Sequence, residues 1–418
     1  MQVSKFGGAS VKNAGAVRNL LEIVSHLDKP QVIVVSAMGK MTNAFETLVQ
    51  HYFSGERDAC NAQLRFIKEF HNNIVLDLFG DLQNPLLSPF RECVQQLELR
   101  LEQLPSMHFD YEYDQIVSFG EIFSTHIISA FLKFSDVDNK WMDVRHVLKT
   151  DDLYRDANVD WKLTTELMER SFSFVDTSLY LTQGFLGGTF SNISTTLGRE
   201  GSDYTAAIIG YVLNAERVTV WKDVPGILNA DPRIFPDAQK IDSLSYAETI
   251  ELSYYGAQVI HPKTLKPLQN KQIPLYVKSF LDRELPGTVI RQESPKIPVP
   301  VFILKKDQVV LTLSPRDFSF ITEENLSRIL ALFSQNHVRI NLLQTSALNF
   351  TVCVDRKDSF AKMVDQLKEF YSVRYNDQVE LLTIRHYNQP VIDEKLKDRI
   401  VIDSQVTRKN ARFVLQSS

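Results

Sequence analysis

Cysteine is scarce in this chain of 418 residues, and the three that are present, Cys60, Cys93 and Cys353, lie far apart. That spacing forms neither a disulfide framework nor a CxxC metal site, and it fits a reducing compartment such as the cytoplasm. Basic residues are not in excess, since 46 Lys and Arg oppose 51 Asp and Glu. Proteins that coat nucleic acid are normally basic, so the charge balance argues against nucleic acid as a partner.

Long apolar runs are also missing near the amino terminus. The longest one there, residues 32–35, is far shorter than the roughly 20 residues that a membrane-spanning helix needs. No apolar segment of signal-peptide length follows the first charged residue. We therefore expect a cytoplasmic protein without membrane association. Hydrophobic residues make up 44% of the chain, which is ordinary for a globular protein with a large core.

Strand and helix signals alternate at the start of the chain. Residues 3–6 form a short strand pattern that ends at two glycines, and residues 17–24 then carry apolar side chains at helical spacing. Residues 32–36 are a run rich in β-branched side chains, which is typical of a strand buried on both faces. This order predicts an α/β fold with a mainly parallel sheet.

The pattern changes after a proline-rich stretch, which we interpret as a linker over residues 286–304. From 305 to 386 the signals follow the order β-α-β-β-α-β, which is typical of a ferredoxin-like α+β unit. Residues 387–418 carry two short strand patterns and no long helix, so they form an abbreviated second unit. The chain before the linker, residues 1–285, is predicted to be one domain.

The first strand pattern ends in the segment KFGGAS, residues 5–10. Glycines at such a turn let the backbone approach a ligand, and the following helix start can bind a phosphate. Lys5 adds a positive charge at the carboxyl end of a strand, where open α/β sheets bind their ligands. Taken alone, a tight turn beside a surface lysine explains the segment equally well. The glycines match neither GxxxxGK[ST] nor GxGxxG.

The segment TTLGREGSD, residues 195–203, carries more chemistry. Arg199, Ser202 and Asp203 lie with two glycines at a predicted helix start, which suits recognition of a carboxylate or a phosphate. Asp203 could instead only complement the helix dipole, but that explains one residue of the segment. The sequence contains no HExxH motif and no His/Cys cluster, so it does not support zinc hydrolysis.

Taken together and in order, these segments resemble the aspartate kinases of the amino-acid-kinase superfamily. The resemblance covers about the first 280 residues, and the later β-α-β-β-α-β pattern resembles the ACT regulatory domains of that family. One segment would be a weak signal, whereas the ordered series is specific. It comprises KFGGAS (5–10), VVSAMG (34–39), GE (120–121), DVR (143–145), GFLG (184–187), TLGREGSD (196–203), the loop 223–233 and the stretch 256–264.

This resemblance implies a carbamate-kinase-like fold, in which helices cover both faces of the sheet. It also implies transfer of the γ-phosphoryl group of ATP, with Mg²⁺, to the side-chain carboxylate of L-aspartate, giving 4-phospho-L-aspartate. In the family pattern, Lys5 and Asp203 are catalytic, and no residue is assigned to a metal. The residues implied to bind aspartate are Thr42, Glu121, Arg199 and Ser202. Those implied to bind the nucleotide are Gly7, Gly8, Ser10, Ser36, Lys222, Asp223, Leu228, Arg233 and Lys263. The ACT regions imply a homodimer.

The chain departs from the family pattern at Gln258, where a lysine often stands, and at Leu228, where a tyrosine often lines the adenine pocket. Loss of one well-placed charge typically costs about 3 kcal/mol of transition-state stabilisation. We therefore hypothesise that Lys222 or Lys263 supplies the missing charge.

Two alternative functions stay open. The chain could be another amino-acid kinase that phosphorylates a different small carboxylate, a carbamate or a nucleotide. It could also be a catalytically weak sensor that binds amino acids through its ACT region. The segment from Arg199 to Asp203 argues against the first alternative. Lys5 and Glu121 are present together with Arg199 and Asp203, which argues against a catalytically weak sensor.

Overall fold

The computed structural model describes residues 1–295, 297–317 and 319–417. The chain divides into two compact units. The first comprises Met1–Ile227, Lys240–Ile250 and Val259–Pro295, and the second comprises Leu228–Gln239, Glu251–Gln258 and the described chain beyond residue 296.

The strands of the first unit are β1 (Gln2–Phe6), β2 (Gln31–Val35), β3 (Lys140–Met142), β4 (Leu179–Gln183), β5 (Leu186–Gly188), β6 (Ser194–Thr196), β7 (Arg217–Lys222), β8 (Ser243–Ser245), β9 (Leu275–Ser279) and β10 (Thr288–Arg291). Its helices are α1 (Ala14–Ser25), α2 (Met41–Phe53), α3 (Arg57–Phe79), α4 (Ser88–Glu102), α5 (Phe109–Val117), α6 (Phe119–Phe134), α7 (Trp161–Ser171), α8 (Gly201–Val212) and α10 (Pro262–Asn270). Helix α9 (Tyr246–Tyr255) begins in the first unit and ends in the second.

A large sheet forms the centre of the first unit, with the strand order β3-β4-β2-β1-β7-β9-β10-β8. Neighbouring strands are parallel except β9 and β10, which are antiparallel. Every residue of β2 is buried, because helices cover both faces of a parallel sheet. The mainly parallel sheet expected from the sequence is therefore confirmed.

Helix α1 shows how the sequence sets these elements. Asn13 caps its first turn by accepting a hydrogen bond from the Ala16 N–H. Val17, Leu20 and Val24 then lie along one face and are fully buried in the core under the sheet. The short loop between β1 and α1 is thereby held against the carboxyl end of the sheet.

The second unit contains β11 (Val301–Pro315), α11 (Glu323–Gln335), β12 (Ile340–Thr345), β13 (Phe350–Asp355), α12 (Phe360–Lys368), β14 (Tyr371–Arg385), α13 (Gln389–Leu396), β15 (Val401–Val406) and β16 (Asn410–Gln416). The strands form one antiparallel sheet in the order β12-β13-β11-β14-β16-β15. Its first half has the order of a ferredoxin-like unit, which confirms the fold expected from the sequence.

Strands β11 and β14 each run through both halves of this sheet. Their pairing shifts register between Lys305 and Val310. On one side of the shift the two strands belong to the first half of the sheet, and on the other side they belong to the second half. The abbreviated unit expected over 387–418 is therefore completed by earlier chain, namely residues 301–305 and the end of β14. The order β11-β14-β16-β15 repeats the ferredoxin-like order with one helix, α13, instead of two.

The edges of the second sheet come together. Gln344 Nε2 on β12 donates to the Ser404 carbonyl on β15 at 2.6 Å, and Gln405 Nε2 donates to the Leu343 carbonyl at 3.2 Å. The sheet is therefore strongly curled, and each edge strand is partly protected by the other.

The predicted linker over 286–304 contains regular structure. Residues 288–291 form β10, which pairs with β8 and β9 inside the large sheet, and β11 starts at Val301. Prolines mark the ends of these strands, but they carry no information about which distant strands pair with them. The first unit accordingly extends to Pro295 and not to residue 285.

Residues 109–134, which hold α5 and α6, are long and apolar enough in composition to cross a membrane. In the structure 83% of the apolar window is buried inside the protein, as in the core helix of a globular protein. The stretch is therefore weak evidence for a membrane span.

Gly8 allows the loop after β1 to pack on the loop after β2. A Cβ atom on Gly8 would lie 2.7 Å from the Gly39 carbonyl oxygen and 2.8 Å from that of Ala37. We expect Gly8→Ala to lower the free energy of unfolding by about 1–3 kcal/mol, because backbone must move apart to admit the methyl group. Chemical denaturation measures this change.

Gly15→Ala is the matched control for that variant. Gly15 lies in the first turns of α1, and its added Cβ would meet nothing closer than the Asn13 side chain at 3.6 Å. Alanine is favoured over glycine in a helix, so the control should be neutral or slightly stabilising. Equal destabilisation by both substitutions would contradict the packing argument.

Candidate active site

The carboxyl ends of β1, β2 and β7 border a cavity of about 540 Å³. Lys5 comes from β1, Ser36 follows β2, and Lys222 is the last residue of β7. These three strands are neighbours in the order β2-β1-β7, so their carboxyl ends meet at one edge of the sheet. This edge is where open α/β sheets bind their ligands.

A buried ion pair forms the floor of this cavity. Lys5 Nζ lies 2.6 Å from Asp203 Oδ1, and the two side chains are 11% and 4% exposed. Burial alone would raise the pKa of the Asp203 carboxyl, but the charges of Lys5 and Lys222 hold it below its usual value. Asp203 lies in the first turn of α8, where the helix dipole also favours negative charge. Asp203 is therefore ionised and holds the Lys5 ammonium in place.

Lys222 is a second cation at the cavity. Its Nζ donates to the Val259 carbonyl at 2.9 Å, and its charge acts on Asp203. Lys263, the other candidate for the missing family lysine, is instead paired with Asp156 at 2.8 Å and donates to the Leu197 carbonyl at 3.2 Å. Lys222 is the one of the two that lines the cavity.

Glu121 places a buried carboxylate beside the same cavity. It projects from the first turn of α6, and its Oε1 accepts a hydrogen bond from the Ala37 N–H at 3.3 Å. Among the described buried side chains, its Oε2 is one of the few polar atoms without a hydrogen-bond partner. Burial raises the pKa of this carboxyl to about 8, although the Ala37 N–H and the Lys5 charge oppose the shift. A cationic ligand group would satisfy the free oxygen.

The loop between β6 and α8 forms another wall. Gly198 has φ +74° and the following helix is capped by Glu200 at φ +54°, so the chain turns sharply on both sides of Arg199. Glu200 Oε2 accepts a hydrogen bond from the His261 N–H at 2.9 Å, which fixes the turn. The Arg199 side chain is left exposed at the cavity.

The structure brings together more than half of the residues singled out in the sequence. Those that line the cavity are Lys5, Ser36, Thr42, Glu121, Arg199, Ser202, Asp203 and Lys222. Gly7, Gly8 and Ser10 lie next to it in the loop after β1, with Ser10 Oγ directed at the Trp221 carbonyl at 3.5 Å.

The remaining predicted nucleotide contacts do not line the cavity. Asp223 is exposed after β7, and Lys263 is held by Asp156. Leu228 and Arg233 belong to the second unit, where Arg233 closes on Asp231 through two hydrogen-bonded nitrogens. Their role in nucleotide binding stays a prediction.

Sequence reasoning missed Glu46, Tyr113 and Arg155, which also line the cavity. Glu46 follows Thr42 by one helical turn on α2, so helical spacing could have identified it. Tyr113 donates a hydrogen bond to Glu46 Oε1 at 2.6 Å. Arg155 lies in an irregular loop without any periodic pattern, and no signal in the sequence marked it.

The described residues contain no group of three His, Cys, Asp or Glu side chains arranged to hold a metal ion. Asp203, the carboxylate nearest to Lys5, is already occupied by that lysine. A divalent cation would therefore find no protein cage here. In kinase sites Mg²⁺ is usually held by substrate phosphate oxygens together with one or two carboxylates, so phosphate oxygens would supply most of its ligands here.

Comparisons with known proteins agree with the open, mainly parallel sheet of the first unit. The model of the amino acid kinase family matches residues 1–279, so the chain belongs to the amino acid kinase family.

Within that family its relatives are aspartokinases. Lysine-sensitive aspartokinase 3 of Escherichia coli is 31% identical over 361 residues, which cover 85% of this chain and 79% of the relative. Aspartokinase 1 of Arabidopsis thaliana chloroplasts is 29% identical over 403 residues and 68% of its length is covered. The chain spans only 32% of the bifunctional aspartokinase/homoserine dehydrogenase 2 of the same plant.

Solved structures agree with these relatives. The crystal structure of E. coli aspartokinase III in complex with aspartate and ADP has a TM-score of 0.82 at 26% identity, over 100% of this chain and 96% of that one. The complex of the same enzyme with lysine and aspartate has a TM-score of 0.83 at 27% identity, with the same coverage. The resemblance to aspartate kinases expected from the sequence is confirmed.

The raised pKa of Glu121 predicts how stability depends on pH. Between pH 4.5 and about 8 the folded protein keeps a proton that the unfolded chain has lost. The free energy of unfolding therefore falls as the pH rises through this window. Glu121→Gln removes this contribution, so the melting temperature of the variant should gain on the wild type from pH 5 to pH 8. Thermal denaturation without substrate measures both proteins. If their melting temperatures changed equally with pH, the raised pKa of Glu121 would be contradicted.

Proposed function

We propose that this chain is an aspartate kinase, which transfers the γ-phosphoryl group of ATP to the side-chain carboxylate of L-aspartate. A carboxylate oxygen attacks the γ-phosphorus, the bond to the β,γ-bridging oxygen breaks, and the products are 4-phospho-L-aspartate and ADP. The observation that carries the proposal is the buried Lys5–Asp203 pair beside a cavity that also holds an unsatisfied buried carboxylate oxygen on Glu121.

The charges of the cavity suit an amino acid with two carboxylates and one ammonium. The ammonium fits Glu121, whose free oxygen would gain a hydrogen bond and whose ionised form would be stabilised by the new charge. Arg199 presents a planar fork of donors to a carboxylate. Thr42 and Ser202 offer hydroxyl groups at the same cavity.

The phosphoryl side relies on fixed positive charge. Phosphoryl transfer asks the protein for positioning and charge stabilisation more than for covalent chemistry. Lys5, held by Asp203, meets the charge that develops on the transferred group, and Lys222 stands beside it. Gly7 leaves open space above the Lys5 ammonium, since a Cβ there would lie 3.5 Å from Nζ. Mg²⁺ bound to ATP oxygens would neutralise further phosphate charge.

A homodimer formed through the second unit and a cytoplasmic location stay predictions, as do adenine contacts at Leu228 and Arg233.

The proposal is tested by turnover of the purified protein with L-aspartate, ATP and Mg²⁺. Hydroxylamine traps the acyl phosphate as a hydroxamate, which is detected by the colour of its iron(III) complex. We expect hydroxamate to form, and Lys5→Met to lower kcat about 100- to 1000-fold, because a charge contact made in the transition state is lost. Lys12→Met removes a neighbouring exposed lysine and should leave kcat unchanged.

Release of ADP with a different carboxylate, a carbamate or a nucleotide, and none with aspartate, would favour another amino-acid kinase. Binding of amino acids without any turnover would favour a sensor. Either outcome would reject the aspartate kinase proposal.

A second prediction concerns the cation that replaces the lysine absent at Gln258. Lys222→Ala should lower kcat/KM for ATP about tenfold or more, because its ammonium lies at the cavity. Lys263→Ala should change it less than about threefold, since that ammonium is held by Asp156 and the Leu197 carbonyl. Steady-state kinetics with varied ATP decides the matter. A larger loss in Lys263→Ala would reverse the assignment.

A further inference from the structure

We propose that Arg155 is a second arginine that binds the non-reacting carboxylate of the substrate, alongside Arg199. The inference rests on the proposed function and assigns a specificity-determining residue to it. Arg155 lines the same cavity as Arg199, Thr42 and Glu121, but it comes from a loop outside the family motifs.

The backbone of Arg155 is held in an unfavourable conformation. Its φ of +70° lies in the left-handed region, which is unfavourable for a residue with a side chain. Such strain persists only where the surroundings enforce it, and it concentrates at functional sites. The enforcing contact here is a hydrogen bond from the Arg155 N–H to Asp114 Oδ2 at 3.0 Å.

Asp114 links the two arginine-bearing segments. This fully buried carboxylate also accepts hydrogen bonds from the Thr196 N–H at 2.9 Å and the Thr196 hydroxyl at 2.7 Å. Thr196 ends β6 and leads directly into the loop that carries Arg199. One acidic side chain therefore sets the position of both arginine backbones relative to each other.

The side chain of Arg155 is oriented by aromatic rings. Its guanidinium lies 4.5 Å from the centre of the Tyr113 ring and 5.9 Å from that of Phe109. The Tyr113 ring is itself fixed by the hydrogen bond to Glu46. Such stacking leaves the edge of the guanidinium free to donate in its plane. The only acid it contacts among the described residues is Asp110, at 3.1 Å from Nη1, and the side chain remains 49% exposed.

Charge matching supports this placement. A substrate with two carboxylates must present one of them to the phosphoryl group beside Lys5, and the other needs a separate anion site. Lys5 and Asp203 belong to β1 and α8, whereas Arg155 is held by α5 and the end of β6. Arg155 would add a second guanidinium on that wall, so the remaining carboxylate would meet two charged donors instead of Arg199 alone.

The test compares Arg155→Gly with Asp110→Asn. Glycine accepts φ +70° without strain, so Arg155→Gly should fold while losing the guanidinium. Asp110→Asn keeps the arginine and removes its acidic partner. We measure kcat, the KM values for aspartate and ATP, and the dissociation constant of aspartate by calorimetry. We expect Arg155→Gly to raise the KM and dissociation constant for aspartate about 10- to 100-fold, the range expected for charged hydrogen bonds.

In the same variant, kcat should change less than about threefold and the KM for ATP less than about twofold, since the contact is made equally before and during the reaction. Arg155→Lys should recover part of the affinity, because it restores charge without the planar fork. Asp110→Asn should leave the aspartate KM unchanged or lower it. A purely structural ion pair would instead make Asp110→Asn resemble Arg155→Gly.

Two results would overturn the inference: an aspartate dissociation constant in Arg155→Gly within twofold of the wild type, or an equal rise in Asp110→Asn. The proposed function fails separately, if the wild type binds aspartate but forms no hydroxamate. In that case the calorimetric comparison still decides the role of Arg155. A wild type that does not bind aspartate at all would reject both.

Discussion

The contact between Lys5 and Asp203 is the constraint on which the rest of the site depends. Neither charge could be buried alone, because desolvation of an unpaired ion costs several kcal/mol. Joined at 2.6 Å, they tie the central strand β1 to the first turn of α8. Other charged groups of the cavity lie around this pair. Lys222 lies at the end of the neighbouring strand β7, and Glu121 lies on helix α6, which packs beside β2. The pair thus links the stability of the first unit to a preorganised positive charge.

Much of the first unit could be predicted, because its signals are local and repeat along the chain. The β-branched run of β2 and the apolar stripe of α1 identify a parallel sheet with covering helices. Once the sheet is parallel, residues that follow its strands must meet at one edge. The resemblance to aspartate kinases assigned Lys5 and Lys222 to one site although more than 200 residues separate them, and the parallel sheet explains why they meet. The helix start and the glycines before it marked Asp203 as a candidate, and the resemblance supplied its partnership with Lys5.

What could not be predicted depends on contacts between distant segments. The conformation of Arg155 is imposed by Asp114, which lies on helix α5. No sequence pattern near residue 155 indicates this contact. The long strands of the second unit were missed for a related reason. Residues 305–308 are polar, and Asp307 has φ +53°, so this stretch has the character of a strand end. Only pairing with β14 on both sides of the register shift carries the strand through it.

The shared strands β11 and β14 have a consequence for how the second unit can be divided. Because each strand contributes hydrogen bonds to both halves, no single cut of the chain separates the halves into modules that keep their partners. Removal of the chain after β14 would remove β16, the strand that pairs with the end of β14. The apolar side chains of Leu382 and Ile384 would then be exposed. The second unit therefore has no internal boundary at this point, and a fragment ending at residue 386 would be a poor substitute for the whole.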